Sequence, residues 1–291
     1  VSSLPPVDLS LAARLIAEQF PQWSQLPLRA VEPGGWDNRT FRLGDELSLR
    51  LPSAAGYVAQ VTKEQTWLPR LGAQLSVPIP TPLALGQPGA GYPWEWSVYR
   101  WLPGEAASFR GLAAPVEFAR EVAAFLHELQ ALDVTGGPTA GQHNFFRGGL
   151  LAVYDAETRA ALDTLGERVD AQRAREVWEA GLAAPFRGPP VWVHGDLSAA
   201  NLLLVEGRLG AVIDFGCLGV GDPACDLVLA WTLFRGESRS AFVAAAPADS
   251  AMWARARCWA LWKALITLQA DPKDAAVAAR IACLLDTEEA D

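Results

Sequence analysis

Two acidic residues, each placed just after a short apolar run, constrain this chain more than anything else in it. The runs are Val191–Val193 and residues 211–213, and the acids are Asp196 and Asp214. Between them lie Asn201, the apolar run Leu202–Val205 and the turn-forming Glu206-Gly207-Arg208. Short apolar runs separated by glycine-bearing breaks predict a small hairpin rather than a helix. Asp196, Asn201 and Asp214 then fall at strand ends or on the intervening loop. Two carboxylates and an amide are hard oxygen donors, which suit a cation that keeps several waters, Mg²⁺ ahead of zinc. No His or Cys cluster stands nearby for a softer metal.

The spacing carries a resemblance. His194-Gly195-Asp196-Leu197-Ser198-Ala199-Ala200-Asn201, followed by Ile213-Asp214-Phe215-Gly216, resembles the aminoglycoside phosphotransferase family, small-molecule kinases that are similar to protein kinases. The kinase template has an Asp, an Asn five positions on, and then Asp-Phe-Gly. Here Asp196 and Asn201 are five apart, and Asp214 follows thirteen after Asn201. Gly221-Asp222-Pro223-Ala224-Cys225-Asp226-Leu227 matches a third segment of the family. The resemblance implies an α+β, two-lobed protein-kinase-like fold. Residues 1–103 would form a nucleotide-binding lobe, an antiparallel sheet with a helix, and residues 104–291 a mostly helical lobe with the catalytic loop and acceptor site. It implies that Asp196 faces the acceptor hydroxyl, that Asn201 and Asp214 hold Mg²⁺, and that ATP or GTP is the donor. His194 would anchor the loop, with Asp222 and Asp226 bracing it and capping the next helix. Ser198 departs from the basic or His residue common at that position.

The upstream half fits this order. Apolar Leu11, Leu15 and Ile16 have helical spacing, with Asp8 or Ser10 as N-cap. A loop over residues 31–39 precedes alternation on both sides of Gly44-Asp45-Glu46, which predicts a hairpin. Gly34 and Gly35 are bare enough for backbone N–H groups to approach phosphate oxygens. By resemblance these glycines and Asn38 belong to the nucleotide-positioning loop. Arg50, on the strand after the hairpin turn, stands where a protein kinase has its phosphate-binding Lys. A helix over residues 58–71, broken or kinked at Pro69, places Glu64 where it can turn inward to Arg50. Pro78-Ile79-Pro80-Thr81-Pro82 is a stiff connector to two more strands, and Pro103-Gly104 marks a break. Arg100, Trp101 and Leu102 resemble the hinge whose backbone meets the adenine edge. The chain becomes helical from residue 114, is loop-like over residues 133–148, and shows helical periods again over residues 150–165, 170–184, 253–268 and 272–285. His127, in the first of these helices, has a helix-packing or capping role rather than a catalytic one.

A formal charge of −9 argues against nucleic acid as partner, since phosphate contacts need a basic face. The same charge is compatible with a cationic acceptor. Cys217, Cys225, Cys258 and Cys283 form no C-x-x-C pair, which favours free thiols in a reducing compartment. No apolar run approaches the roughly 18 residues of a membrane span, and the N-terminal segment lacks a signal-peptide pattern, so the expected location is the cytoplasm. Two functional readings are open. The first is a kinase of a small hydroxyl-bearing molecule, with an aminoglycoside-like or other amine-bearing compound favoured. The second is a catalytically weak nucleotide-binding regulatory protein of the same fold, with a metal-dependent phosphohydrolase well behind both. Glu237 and Asp249 are acids that either meet a polyamine or, more simply, face solvent. Trp231, Trp259 and Trp262 would instead line an apolar pocket for a neutral acceptor.

Overall fold

Asp8 starts the first helix as its composition demands. Its carboxylate accepts the Leu11 N–H at 2.9 Å, the usual N-cap bond to an otherwise orphaned donor. In the computed structural model residues 6–32, 34–246 and 248–286 are described. Val1 to Pro5, Pro33 of the glycine loop, Pro247 and residues 287–291 lie outside them.

Helix α1 (Leu9–Gln19) buries Leu11, Leu15 and Ile16 against a sheet. That sheet comprises β1 (Leu28–Ala30), β2 (Asn38–Leu43), β3 (Leu47–Pro52), β4 (Pro82–Gly86) and β5 (Trp96–Arg100). Its order is β1-β2-β3-β5-β4, antiparallel throughout. The β2–β3 register sets Thr40 opposite Arg50. Between β3 and β4 runs α2 (Val58–Gly72), continuous through Pro69. The expected break is absent, although Pro69 has no N–H to give the Gln65 carbonyl one turn earlier. Leu68 and Leu71 of α2 join the larger core of the helical half, together with Ile79 and Tyr99.

After Pro103-Gly104 the chain enters a second sheet. β6 (Glu105–Ala106) is followed by α3 (Pro115–Ala131), α4 (Asp155–Leu165), α5 (Ala171–Leu182), β7 (Val191–Val193), β8 (Leu202–Val205), β9 (Arg208–Val212) and β10 (Gly219–Gly221). β6, β8 and β9 form one antiparallel sheet. The expected hairpin is β8–β9, turning through Glu206 and Gly207 with φ of 52° and 77°, the left-handed pair that matches strand twist. β7 stands apart from it and pairs with β10.

The remainder is helical: α6 (Leu229–Thr232), α7 (Gly236–Ala245), α8 (Ser250–Ala270) and α9 (Ala275–Leu285). α8 buries residues on all its sides, as a helix at the centre of a lobe must. The sequence does not announce α7, because only Ser238 and Phe242 of it are buried and it shows no apolar stripe. His127 of α3 is exposed rather than packed. The described chain has no helix long and apolar enough to cross a membrane. The four cysteines are free.

Candidate active site

The loop after β7 is built around Asp226. Its two carboxylate oxygens accept the N–H groups of His194 at 2.7 Å and Gly195 at 2.8 Å. Complete burial pushes this carboxyl up, against the opposing pull of His194 and the two amide donors. His194 Nδ1 accepts the Asp196 N–H at 3.2 Å, which puts the imidazole proton on Nε2, 2.9 Å from the Ile213 carbonyl. Gly195 has φ of 84°, and a Cβ there would stand 2.4 Å from the Cys217 carbonyl oxygen. Asn201 Nδ2 donates to the Asp196 carbonyl at 2.8 Å, and the Asn201 carbonyl accepts the Ile213 N–H at 2.9 Å. The backbone of Asp196 is thus held on both sides while its side chain is exposed. Asp222 braces from below through a buried bidentate pair with Arg255, at 2.6 and 3.0 Å.

Across the cleft, Arg50 is shared. Its Nη1 lies 3.2 Å from Glu64 and its Nη2 2.5 Å from Asp214. The Tyr99 hydroxyl donates to the second oxygen of Glu64. Burial works to lower the Arg50 pKa, but the two carboxylates outweigh it and the value is raised. Burial likewise works to raise Asp214, and Arg50, by charge and by hydrogen bond, holds it below the usual carboxylate range. Asp214 adopts the left-handed conformation, φ 67°, which an Asp tolerates better than most residues.

Gly34 and Gly35 are exposed between β1 and β2. Asn38 is not on the open loop: as the first residue of β2 it is buried and paired with Pro52. Its neighbour Asp37 turns toward the site instead, accepting from Gln60 at 2.9 Å. Burial pushes the Asp37 carboxyl up, and the charges of Asp214 and Asp196 push the same way. At the hinge, the N–H groups of Arg100 and Trp101 are spent on Thr81 and Glu46, at 3.0 and 2.7 Å. Lys63, beside Glu64, is a site residue that sequence reasoning misses. Its Nζ donates to the Gly216 carbonyl at 2.7 Å and the His143 carbonyl at 3.2 Å.

The sequence model of the phosphotransferase enzyme family matches residues 29–259, from β1 into α8. The chain belongs to that family. An aminoglycoside 3'-phosphotransferase of Escherichia coli is 38% identical over 71 residues, a match covering 24% of this chain and 26% of that relative. The chain therefore matches only about a quarter of this curated relative's length. Solved structures align along nearly the whole length. The GDP complex of an aminoglycoside 2'-phosphotransferase-IIIa variant gives a TM-score of 0.73 at 20% identity, covering 97% of each chain. A macrolide 2'-phosphotransferase from Brachybacterium faecium gives 0.61 at 24% identity, covering 96% of this chain and 99% of that one. At these identities the likeness establishes the two-lobed kinase-like fold.

In this member of the family a cavity of about 330 Å³ opens beside Asp196, lined among others by Leu197, Val228, Trp259, Trp262 and Arg147. Arg147 carries no signal in the sequence. It is 8% exposed, its Nε has no hydrogen-bond partner, and its guanidinium lies over Trp262 and Trp259 at 4.5 and 5.4 Å. The loop that carries it is strained, with Phe145 and Phe146 at φ of 51° and 53°, a conformation costing roughly 1 kcal/mol or more for each such residue. Asn144 pins this loop, donating to the Arg147 carbonyl at 3.0 Å.

The acids expected to meet a cationic acceptor, Glu237 and Asp249, do not line this cavity. Arg147, Lys263 and Arg280 line the cavity, and among the described residues Asp196 is the one carboxylate that does. Glu237 is exposed on α7, and Asp249 is occupied as the N-cap of α8, accepting the Met252 N–H at 2.7 Å. A polyamine finds no acidic partner in the cavity beyond Asp196. Of the three tryptophans expected around a neutral acceptor, Trp259 and Trp262 line it and Trp231 does not.

Proposed function

We propose that the chain transfers the γ-phosphoryl group of ATP or GTP to a hydroxyl of a small molecule. The cleft would lie between a nucleotide-binding lobe of residues 1–103 and a helical lobe of residues 104–291. The observation that carries this reading is the run of contacts Tyr99–Glu64–Arg50–Asp214, which joins the first sheet to the segment that also holds Asn201 and Asp196. Phosphoryl transfer needs positioning and charge neutralisation more than covalent chemistry from the protein. Arg50 offers a planar fork to phosphate oxygens, with its orientation set by Glu64. The backbone at Gly34 and Gly35 faces the same phosphates, and the hinge at Trp101 and Leu102 takes the base. Asp196 orients the acceptor hydroxyl and takes its proton late, because a carboxylate is a weak base for an alcohol.

The donor set suits Mg²⁺. Asn201 spends Nδ2 on the loop, which leaves its Oδ1 for a cation, and Asp214 supplies a carboxylate. Among the described residues no group of three or more His, Cys, Asp or Glu converges as a cage. Two protein oxygens completed by waters and substrate phosphates are the usual Mg²⁺ arrangement. Bound there, the ion would neutralise phosphate charge. Relatives of the same fold are known as GDP and ADP complexes, which supports a nucleotide donor.

The test is ³¹P NMR of MgATP and MgGTP with the full chain and a library of hydroxyl compounds. The expected result is a new phosphate-ester signal with one class of acceptor. Nucleotide binding without turnover for any hydroxyl compound would favour the regulatory reading instead.

A further inference from the structure

We propose that the acceptor is a small hydroxy acid with an apolar body, its carboxylate seated on Arg147 and its hydroxyl at Asp196. This rests on the kinase reading above and names the substrate class of the same site. The step is the family one. The acceptor oxygen bonds to the γ-phosphorus and the bridging P–O bond of the nucleotide breaks. The nucleoside diphosphate leaves, and the hydroxyl proton passes to Asp196.

The case starts from Arg147. Arg147 is a buried residue whose Nε is shut off from solvent, and buried charges are ordinarily paired with a carboxylate. Its Nε is unsatisfied, and no ion pair to a carboxylate is found for it among the described residues. The indole faces of Trp259 and Trp262 replace part of that hydration but supply no hydrogen-bond acceptor. The side chain lines the same cavity as Asp196. A charge held in this way is complementary to an oxyanion, and Arg is the residue best shaped to take a carboxylate in two parallel bonds.

The surroundings point the same way. Lys263 and Arg280 add positive charge to the lining, while Leu197, Val228, Ala260 and Ala264 offer apolar contact. A polycation would be repelled by three cations and attracted by Asp196 alone. A cavity of about 330 Å³ is at the small end of ligand sites. These features select a compact molecule with one oxyanion, one hydroxyl and an apolar part. They hold even though the chain as a whole is acidic at −9, because local lining and not net charge meets the ligand.

The experiment is calorimetric titration of the full chain with hydroxy acids of increasing apolar length, from lactate to 3-phenyllactate. Each is compared with its own methyl ester and with kanamycin, and MgATP affinity is measured alongside. At least one acid should bind about ten- to a hundredfold more tightly than its ester, the range of a charge-assisted hydrogen bond. Arg147→Met should erase that preference and Arg147→Lys restore part of it, with thermal unfolding reporting whether each variant is folded. The acid–ester comparison on the native chain stands even if Arg147→Met does not fold. Equal binding of acid and ester, preference for kanamycin, or no acid binding at millimolar concentration overturns the proposal. So does an acid preference that survives in a folded Arg147→Met chain. Acid binding with no phosphorylated product would end the kinase reading while leaving the oxyanion site in place.

Discussion

Arg50 Nη2 lies 2.5 Å from Asp214 Oδ1, across 164 positions of sequence, while the same guanidinium holds Glu64 at 3.2 Å. The pair joins a strand of the first sheet to the loop after β9, so the two halves of the site are set against each other by one side chain. Asp214 is 36% exposed and Arg50 15%, a degree of burial at which charge pairing is screened less than at the surface. The consequence is electrostatic as well as geometric, since Arg50 keeps Asp214 ionised below the usual carboxylate range.

Replacing Arg50 with Met removes both effects. MgATP affinity should fall roughly ten- to hundredfold, the range for losing a hydrogen-bonded charge. The sign of the pH effect comes from the same pair. With Arg50 present Asp214 holds its charge to lower pH, and without it burial is opposed only by His194 and the Gly216 N–H, so the value rises. The acid limb of MgATP binding should therefore move to higher pH in the variant. Calorimetry across an acid pH series checks this, and an unmoved acid limb would mean that nucleotide binding does not depend on the charge of Asp214.

Asp196→Asn separates binding from transfer. The backbone of residue 196 is held by His194 and Asn201 independently of the carboxylate, so the loop should keep its shape. MgATP affinity should stay within a few-fold of native, while phosphoryl transfer drops by about 10²–10⁴, the usual range for losing a general base. Equal losses of affinity and turnover would assign Asp196 a structural role.

Much of this site can be read from sequence because its parts are local. Asp196, Asn201 and Asp214 sit on one strand–loop–hairpin unit, and alternation puts Arg50 on a strand facing an adjacent helix. The parts that escape such a reading depend on distant partners. Lys63 looks like a solvated helix residue, yet its acceptors stand 80 and 153 positions away. Arg147 lies in a glycine-rich stretch with no period. Its placement comes from two left-handed phenylalanines and from Asn144, which also donates to Cys217 at 3.4 Å. β10 carries two glycines in three residues and pairs only because β7 lies beside it. Asn38 groups with the glycine loop in sequence because chain order cannot show where a strand begins.

The pair beneath the catalytic loop should be the largest single contributor to stability among the ionic contacts. Asp222 and Arg255 are 6% and 7% exposed, and Asp222 also accepts the Ala224 N–H at 3.1 Å. Asp222→Ala leaves a buried guanidinium without its partner, expected to cost about 3–5 kcal/mol, whereas removing both charges together costs less than the sum. Urea unfolding of Asp222→Ala, Arg255→Met and the double variant measures the coupling. Additive losses would show that the two side chains act independently.

Lys63 gives a pH signature for the tie between α2 and the Asp214-Phe215-Gly216 segment. Burial pushes its pKa down from 10.5 to about 8, with Cys217 and Glu64 opposing. Below pH 8 both the folded and the unfolded chain carry this proton, and the cost of burying the charge is fully present. Between about 8 and 10.5 the folded chain has released it and the unfolded chain has not. The unfolded state then binds more protons, so this residue makes stability rise with pH over that window. The whole chain need not show the rise, because the thiols act in the opposite sense. Burial pushes Cys217 and Cys258 up to about 12, so the unfolded state loses those protons first. Subtracting the unfolding free energy of Lys63→Met from that of the native chain cancels Cys258, and cancels Cys217 apart from its charge coupling to Lys63. The difference should shift in favour of the native chain by up to roughly 3 kcal/mol between about pH 8 and 10.5, the linkage value of such a change. A difference that stays flat across the window would mean that Lys63 keeps its proton while bound to the Gly216 and His143 carbonyls.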